Sequence, residues 1–215
     1  MAGEIKNLML SGPVGRLEAL LNVGDENARY GALICHPHPL HGGTVHNKVV
    51  YNAMKALTAF GFHALRFNFR GAGLSEGVHD NGHGEQDDVR AAVDFLYNEF
   101  HLPIIFAGFS FGASVGLRAT CPDARVVGAI SLGTPVFVDE RAYTYGFLRA
   151  CHKPKLFLSG DADHYSPRLE LEAAYANAAA PKKLVFIPNT GHFFEEKLTE
   201  MQTEITQWVK DVFVF

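Results

Sequence analysis

Short apolar runs rich in β-branched and aromatic residues recur along the chain. Each is followed by a break of Gly, Pro or polar residues and then by apolar positions at helical spacing. The first two runs, NLML and RLEALL, flank SGPVG and predict an N-terminal hairpin. From residue 30 onward the pattern is regular. YGALIC (30–35), FHALRFNF (62–69), PIIFAG (103–108), RVVGAISLG (125–133), PKLFLSG (154–160) and KKLVFIP (182–188) predict buried strands. Between and after them, residues 47–61, 84–100, 111–120, 167–179 and 195–213 predict helices. The first of these stops at Gly61, and the second carries Glu85, Asp87 and Asp88 in its first turn, where the helix dipole favours them. Residues 139–152, DERAYTYGFLRACH, are expected to form one further short helix.

Strand and helix alternating in this way predict an α/β fold: a mostly parallel sheet of about eight strands with helices on both faces. No repeat, low-complexity tract or linker interrupts residues 1–215, so a single domain is expected. In such sheets the reactive groups gather at the carboxyl ends of the strands, so the loops that follow the strands carry the chemistry.

The loop after PIIFA reads Gly108-Phe109-Ser110-Phe111-Gly112. A G-x-S-x-G turn between strand and helix forces its serine into a strained conformation and lifts the hydroxyl clear of the backbone. Its glycines are required because side chains there would strike the adjoining elements. A helix N-cap is the plainer role for Ser110. As a nucleophile it needs a base, and the base needs an orienting acid, which on this kind of sheet come later in the order acid, histidine. GDADHYSP (160–167) offers Asp161, Asp163 and His164, and NTGHFF (189–194) offers His192 as the base. Asp161 directly follows Gly160 and is placed to bond turn amides. Asp163 lies further out, ahead of Pro167, a suitable first residue for the next helix.

HPHPLHGG (36–43), after the strand YGALIC, crowds three histidines with two prolines. A metal site would need the imidazoles to converge and a further ligand. No acidic residue lies nearby in sequence and no H-E-x-x-H pattern occurs, so no metal is expected. His36, His41 and His46 are expected to brace the loop or line a cleft.

With GFSFG, GDADHYSP and NTGHFF in register, the chain resembles the α/β-hydrolase family over nearly its whole length. More narrowly it resembles small bacterial hydrolases related to dienelactone hydrolases, through GRLEALL, HPHPLHGGTVHNKVV, RFNFRGAGLSEG and GFSFGASVGLRA. Dienelactone hydrolases proper carry cysteine where this chain has Ser110. The resemblance implies a triad of Ser110, His192 and Asp163, no cofactor, and hydrolysis of esters or related acyl bonds. The family's acid stands three residues after the glycine and ahead of the proline, as Asp163 does. The resemblance also implies an oxyanion hole from the backbone amides of Phe111 and of a residue in the HPHPLHGG loop. Pro37 and Pro39 have no N–H; His38 holds the family's donor position, with Leu40 as the alternative. RGAGLSEG becomes a structural turn in which Arg70 braces neighbouring loops.

Larger hydrolases insert a lid between the strands AISLG and PKLFLSG. Here that interval is short, so no large lid and small soluble substrates are expected. The aromatics Phe109, Phe111, Phe137, Tyr143, Tyr145, Phe193 and Phe194 are available for an apolar rim. The expected activity is that of a serine carboxylesterase acting on a small-molecule acyl ester. Thioesterase, lactonase or amidase activity with the same triad, or a non-catalytic binding role on this fold, stand as alternatives.

Composition narrows the setting. Hydrophobic residues make up 47% of the chain, enough for a sizeable core, and the formal net charge of −4 favours neither nucleic acid nor an anionic membrane. No signal peptide or membrane-length apolar stretch is read from the sequence. Cys35, Cys121 and Cys151 are widely spaced without a CxxC pair, which suits reduced thiols in a cytoplasmic protein.

Overall fold

The computed structural model describes residues 4–138 and 141–213. Strands β1 (Ile5–Gly12) and β2 (Gly15–Asn22) form the N-terminal hairpin, joined through Pro13 and Val14. Strands β3 (Gly31–Cys35), β4 (His63–Phe67), β5 (Ile104–Phe109) and β6 (Val126–Leu132) follow. The short strands β7 (Phe137–Val138) and β8 (Arg141–Ala142) pair only with each other, and β9 (Lys155–Gly160) and β10 (Lys182–Ile187) complete the set. The main sheet has eight strands in the order β1-β2-β4-β3-β5-β6-β9-β10. From β4 to β10 every pairing is parallel, while β1 and β2 run antiparallel at one edge.

The central strands read as unbroken apolar runs because both faces are covered. Along β3, Leu33 and Cys35 point into one core, and Ala32 and Ile34 into the other. The first core holds Val89, Val93 and Leu96 of α2 (Glu85–Phe100) and Val115 and Leu117 of α3 (Phe111–Thr120), and α4 (Arg168–Ala176) packs against the same side through Ala174 and Tyr175. The second holds Val50, Met54 and Leu57 of α1 (Lys48–Thr58) and Met201, Ile205 and Trp208 of α5 (Leu198–Phe213). The Asn47 side chain starts α1 by accepting from the Val49 and Val50 amides at 2.9 and 3.3 Å. Among the described residues no helix is long and apolar enough to cross a membrane.

One expected element is corrected. The described part of residues 139–152 is helical only at Gly146–Ala150, a five-residue 3-10 helix, and begins instead with strand β8. Tyr143, Thr144 and Tyr145 are poor helix formers followed by glycine, and tertiary bonds hold them outside any helix. The Tyr143 amide donates to Val136 O at 2.9 Å, and the Tyr145 hydroxyl to Pro135 O at 2.7 Å. Asp139 and Glu140 lie outside the described residues.

Candidate active site

The turn between β5 and α3 has the geometry its glycines anticipate. Ser110 sits at φ 54°, ψ −120°, a conformation that costs a side-chain-bearing residue about 1–3 kcal/mol. A Cβ on Gly108 would lie 2.6 Å from Gly112 O, and one on Gly112 would collide with His36 O at the end of β3. The Ser110 amide is fixed to Leu132 O at 2.9 Å, and its carbonyl accepts from the Ala113 and Ser114 amides. The hydroxyl makes no capping bond to α3. It meets His192 Nε2 at 2.9 Å instead.

His192 lies in the loop after β10 and is 6% exposed. Its Nδ1 is 2.8 Å from Asp163 Oδ2. Asp163, 4% exposed, accepts at Oδ2 from Ser159 Oγ at 3.2 Å, and at Oδ1 from the Tyr165 and Ser166 amides at 2.9 and 3.2 Å. An ionised carboxylate accepts all of these bonds at once. With Nδ1–H donated to Asp163, Nε2 is left to accept the Ser110 hydroxyl proton. Ser110, His192 and Asp163 are therefore brought together as one hydrogen-bonded chain. Asp161 is exposed and, among the described residues, accepts the Thr190 amide at 3.4 Å and makes no bond to His192, and His164 is exposed on the surface.

Two residues that position the imidazole were not singled out from sequence. Gly133, at φ 50° after β6, would carry a Cβ 3.0 Å from His192 Cε1 and 3.1 Å from Nδ1, so only glycine leaves the ring its place. Tyr165 stands edge-on to the His192 ring at 4.7 Å between centroids. Gly133 is the last residue of the run RVVGAISLG, and neither it nor Tyr165 carries a local signal for contact with a residue so far along the chain.

The histidine loop resolves residue by residue. His36 is fully buried: its Nε2 accepts the Phe69 amide at 3.0 Å, which leaves Nδ1–H to donate to Pro37 O at 2.6 Å. Desolvation lowers its pKa to about 4, so the ring stays neutral and ties the loop to the end of β4. His38 Nδ1 accepts the Leu40 amide at 3.3 Å, and its ring stacks on His41 at 4.6 Å. His46 is exposed. His38, His41, Gly42, Gly43 and Asn47 face Ser110, Phe111, His192 and Phe193 across a cleft of about 120 Å³. Leu40 is 67% exposed and is not part of the cleft wall. Of the rim aromatics, Phe111, Tyr143 and Phe193 line the cleft, joined by Tyr165. Phe109, Tyr145 and Phe194 are core, and Phe137 is exposed.

Both His36 nitrogens are committed to backbone partners, so the loop is a brace and its own imidazoles hold it. Ester turnover is expected to keep at least about 90% of its rate after exhaustive dialysis against a chelator, since a serine–histidine–aspartate relay needs no cation. A rate abolished by chelation and restored by zinc would make the loop a metal site.

Arg70 braces as expected, pairing with buried Asp88 at 2.7 Å and donating to Gly84 O at 2.5 Å. Glu85 is also buried and accepts the Asp80 and Gly82 amides, whereas Asp87 stays on the surface beside Arg90. These acids anchor the loop over α2 and take no part in the Ser110 chain.

Residues 38–153 match the Hydrolase_4 family, described as serine aminopeptidase, S33. That stretch holds the histidine loop from His38 onward and the Ser110 turn, and ends before Asp163 and His192. The uncharacterized protein RP471 of Rickettsia prowazekii is 34% identical over 209 residues, covering 94% of this chain and 87% of the relative. An α/β serine hydrolase homologue from Coxiella burnetii is 34% identical with a TM-score of 0.84, over 94% of this chain and 96% of that one. XC6422 from Xanthomonas campestris, an α/β serine hydrolase without a lid, is 33% identical with a TM-score of 0.86, over 97% of this chain and 94% of that one. The chain belongs to the Hydrolase_4 family, among the small lidless α/β serine hydrolases.

Proposed function

We propose that the protein is a carboxylesterase that cleaves small acyl esters through an acyl-enzyme on Ser110. The observation that carries this reading is the continuous relay from Ser110 Oγ through His192 to Asp163, with bonds of 2.9 and 2.8 Å. Ser110 Oγ attacks the ester carbonyl as His192 Nε2 takes its proton. Asp163 holds the imidazolium that forms. The carbonyl oxygen becomes an oxyanion at the N-terminus of α3, where the Phe111 amide precedes the first helical hydrogen bonds and the helix dipole favours negative charge.

The second donor assigned is the His38 amide. His38 is on the cleft wall, whereas the Leu40 amide is bonded to His38 Nδ1 and Leu40 lies outside the wall. One such donor contributes roughly 2.7–4 kcal/mol in the transition state. The alcohol leaves with the proton from His192. Water, activated by the same imidazole, then releases the acid.

The described cleft wall consists of Ser110, histidines, aromatic rings, glycines, Asn47, Pro37 and Val138, with no carboxylate, lysine or arginine, a lining that suits an uncharged acyl ester. The narrower likeness to dienelactone hydrolases adds acyl chemistry in general; serine in place of their cysteine favours ordinary esters. Small acyl groups fit a cleft of about 120 Å³. In a p-nitrophenyl ester series, kcat/KM is expected to peak at acetate to butyrate and to fall by at least about tenfold by decanoate. A maximum at decanoate or longer would contradict a short-chain esterase.

The family description favours a second reading, cleavage of an amide at a free amino terminus. An aminoacyl p-nitroanilide compared with p-nitrophenyl acetate separates the two. Higher kcat/KM on the anilide would replace the ester reading with an aminopeptidase.

A further inference from the structure

A larger cavity, about 670 Å³, lies beside the catalytic cleft and shares Phe111 and Tyr143 with it. Two of the three cysteines line this cavity, Cys121 and Cys151. They are remote in sequence, and the fold brings them together. Cys121 ends α3, its amide bonded to Leu117 O at 3.0 Å. Cys151 closes the 3-10 turn ahead of β9, its amide bonded to Leu148 O at 3.2 Å. Lys153 Nζ, bonded to Thr120 O and Asp123 O, ties the segment after Cys151 to the end of α3, and the two thiols act on each other electrostatically.

Two ammonium groups are fixed around the pair. Lys155 Nζ donates to Cys151 O at 2.5 Å and to Lys153 O at 2.6 Å, and Lys153 Nζ donates to Thr120 O at 2.7 Å and to Asp123 O. Cys121 and these two cations push the Cys151 thiol down to about 6, and the Cys121 thiol is pushed up in turn. Such an asymmetry separates an attacking sulfur from a resolving one. Cys121 is partly exposed and Cys151 is buried, and both line the cavity. Cys35, by contrast, is enclosed in β3, where burial raises its thiol.

We propose that Cys121 and Cys151 are a redox-modifiable thiol pair, in which Cys151 reduces a small hydroperoxide and Cys121 then closes an intramolecular disulfide. The Cys151 thiolate attacks one peroxide oxygen, an S–O bond forms and the O–O bond breaks, giving a sulfenic acid and a hydroxide that takes up a proton. The Cys121 sulfur then attacks the Cys151 sulfur. The S–S bond forms, the S–O bond breaks, and the departing hydroxide leaves as water with the Cys121 proton. The two thiols lose two electrons in all, and the peroxide is reduced by the same two.

The test uses the full chain treated with a few equivalents of hydrogen peroxide at neutral pH, then denatured, alkylated with a maleimide and weighed. Oxidised protein is expected to lose about 2 Da and to keep a single alkylatable thiol, on Cys35, with a linked Cys121–Cys151 peptide that dithiothreitol separates. Cys121→Ser is expected to hold a sulfenic acid at Cys151 that dimedone traps, and Cys151→Ser to lose thiol at least about tenfold more slowly than the parent. Three alkylatable thiols after exposure, a bridge through Cys35 or between chains, or dimedone labelling absent from a folded Cys121→Ser protein would each overturn the proposal. If either serine variant fails to fold, the peptide map of the parent protein decides alone.

Discussion

Replacing Ser110 by alanine is expected to lower kcat for p-nitrophenyl acetate by a factor on the order of 10⁶, close to the loss of the whole relay, because the members of such a relay act as a unit. The effect should be almost purely chemical. Alanine keeps a Cβ, so the strain at φ 54° persists, and the amide bond to Leu132 O and the carbonyl bonds to Ala113 and Ser114 remain. What is lost is one hydroxyl bonded to His192, worth about 1 kcal/mol. The melting temperature should therefore move by no more than about 4 °C in a chain of this size. Steady-state kinetics beside a thermal melt make the comparison. A folded Ser110→Ala protein that hydrolyses the ester within tenfold of the parent would place the nucleophile elsewhere.

The second large effect separates two neighbouring aspartates. Asp163→Asn puts an amide opposite His192 Nδ1, where the carboxylate accepts at 2.8 Å, and so favours the wrong imidazole tautomer. A loss in kcat on the order of 10⁴ is expected. Stability falls as well, because Asp163 also serves Ser159 and the Tyr165 and Ser166 amides, though the asparagine oxygen can keep the two amides. Asp161→Asn weakens one contact, the Thr190 amide at 3.4 Å. It should change kcat by less than about threefold and lower the melting temperature by no more than a few degrees. If the two variants exchanged these rate effects, Asp161 would be the orienting acid.

The aspartate pair shows where sequence reading ends. Both stand beyond the same strand and are chemically identical, so only the resemblance to a family and then the tertiary placement of His192 distinguish them. The Ser110 turn was legible because its cause is local: Gly108 and Gly112 are required by atoms within a few residues or by the adjoining strand. The sheet was legible because strands such as β3 and β5 are covered on both faces and therefore read as continuous apolar runs.

Residues 139–152 were misread because their described conformation depends on Val136, Pro135 and Arg118, contacts that no periodicity records. Gly133 was overlooked for the same reason, since the atom that forbids a side chain there belongs to His192. Buried Glu85 and Asp88 were underestimated as first-turn helix charges, because the groups they hold, Arg70 and the Asp80 and Gly82 amides, come from the preceding loop. The pairing of Cys121 with Cys151 is likewise a property of the fold alone.

Fluorophosphonate labelling tests the central claim most directly, because phosphonylation requires a serine hydroxyl already activated by a base, whatever the natural substrate. The reagent should add one phosphonyl group to the native protein, located on Ser110 by peptide mapping, with ester hydrolysis lost in proportion to labelling. The Ser110→Ala and His192→Ala proteins should remain unlabelled. Native protein that stays unmodified while hydrolysing esters, or that carries the label on another residue, would contradict the Ser110–His192–Asp163 account.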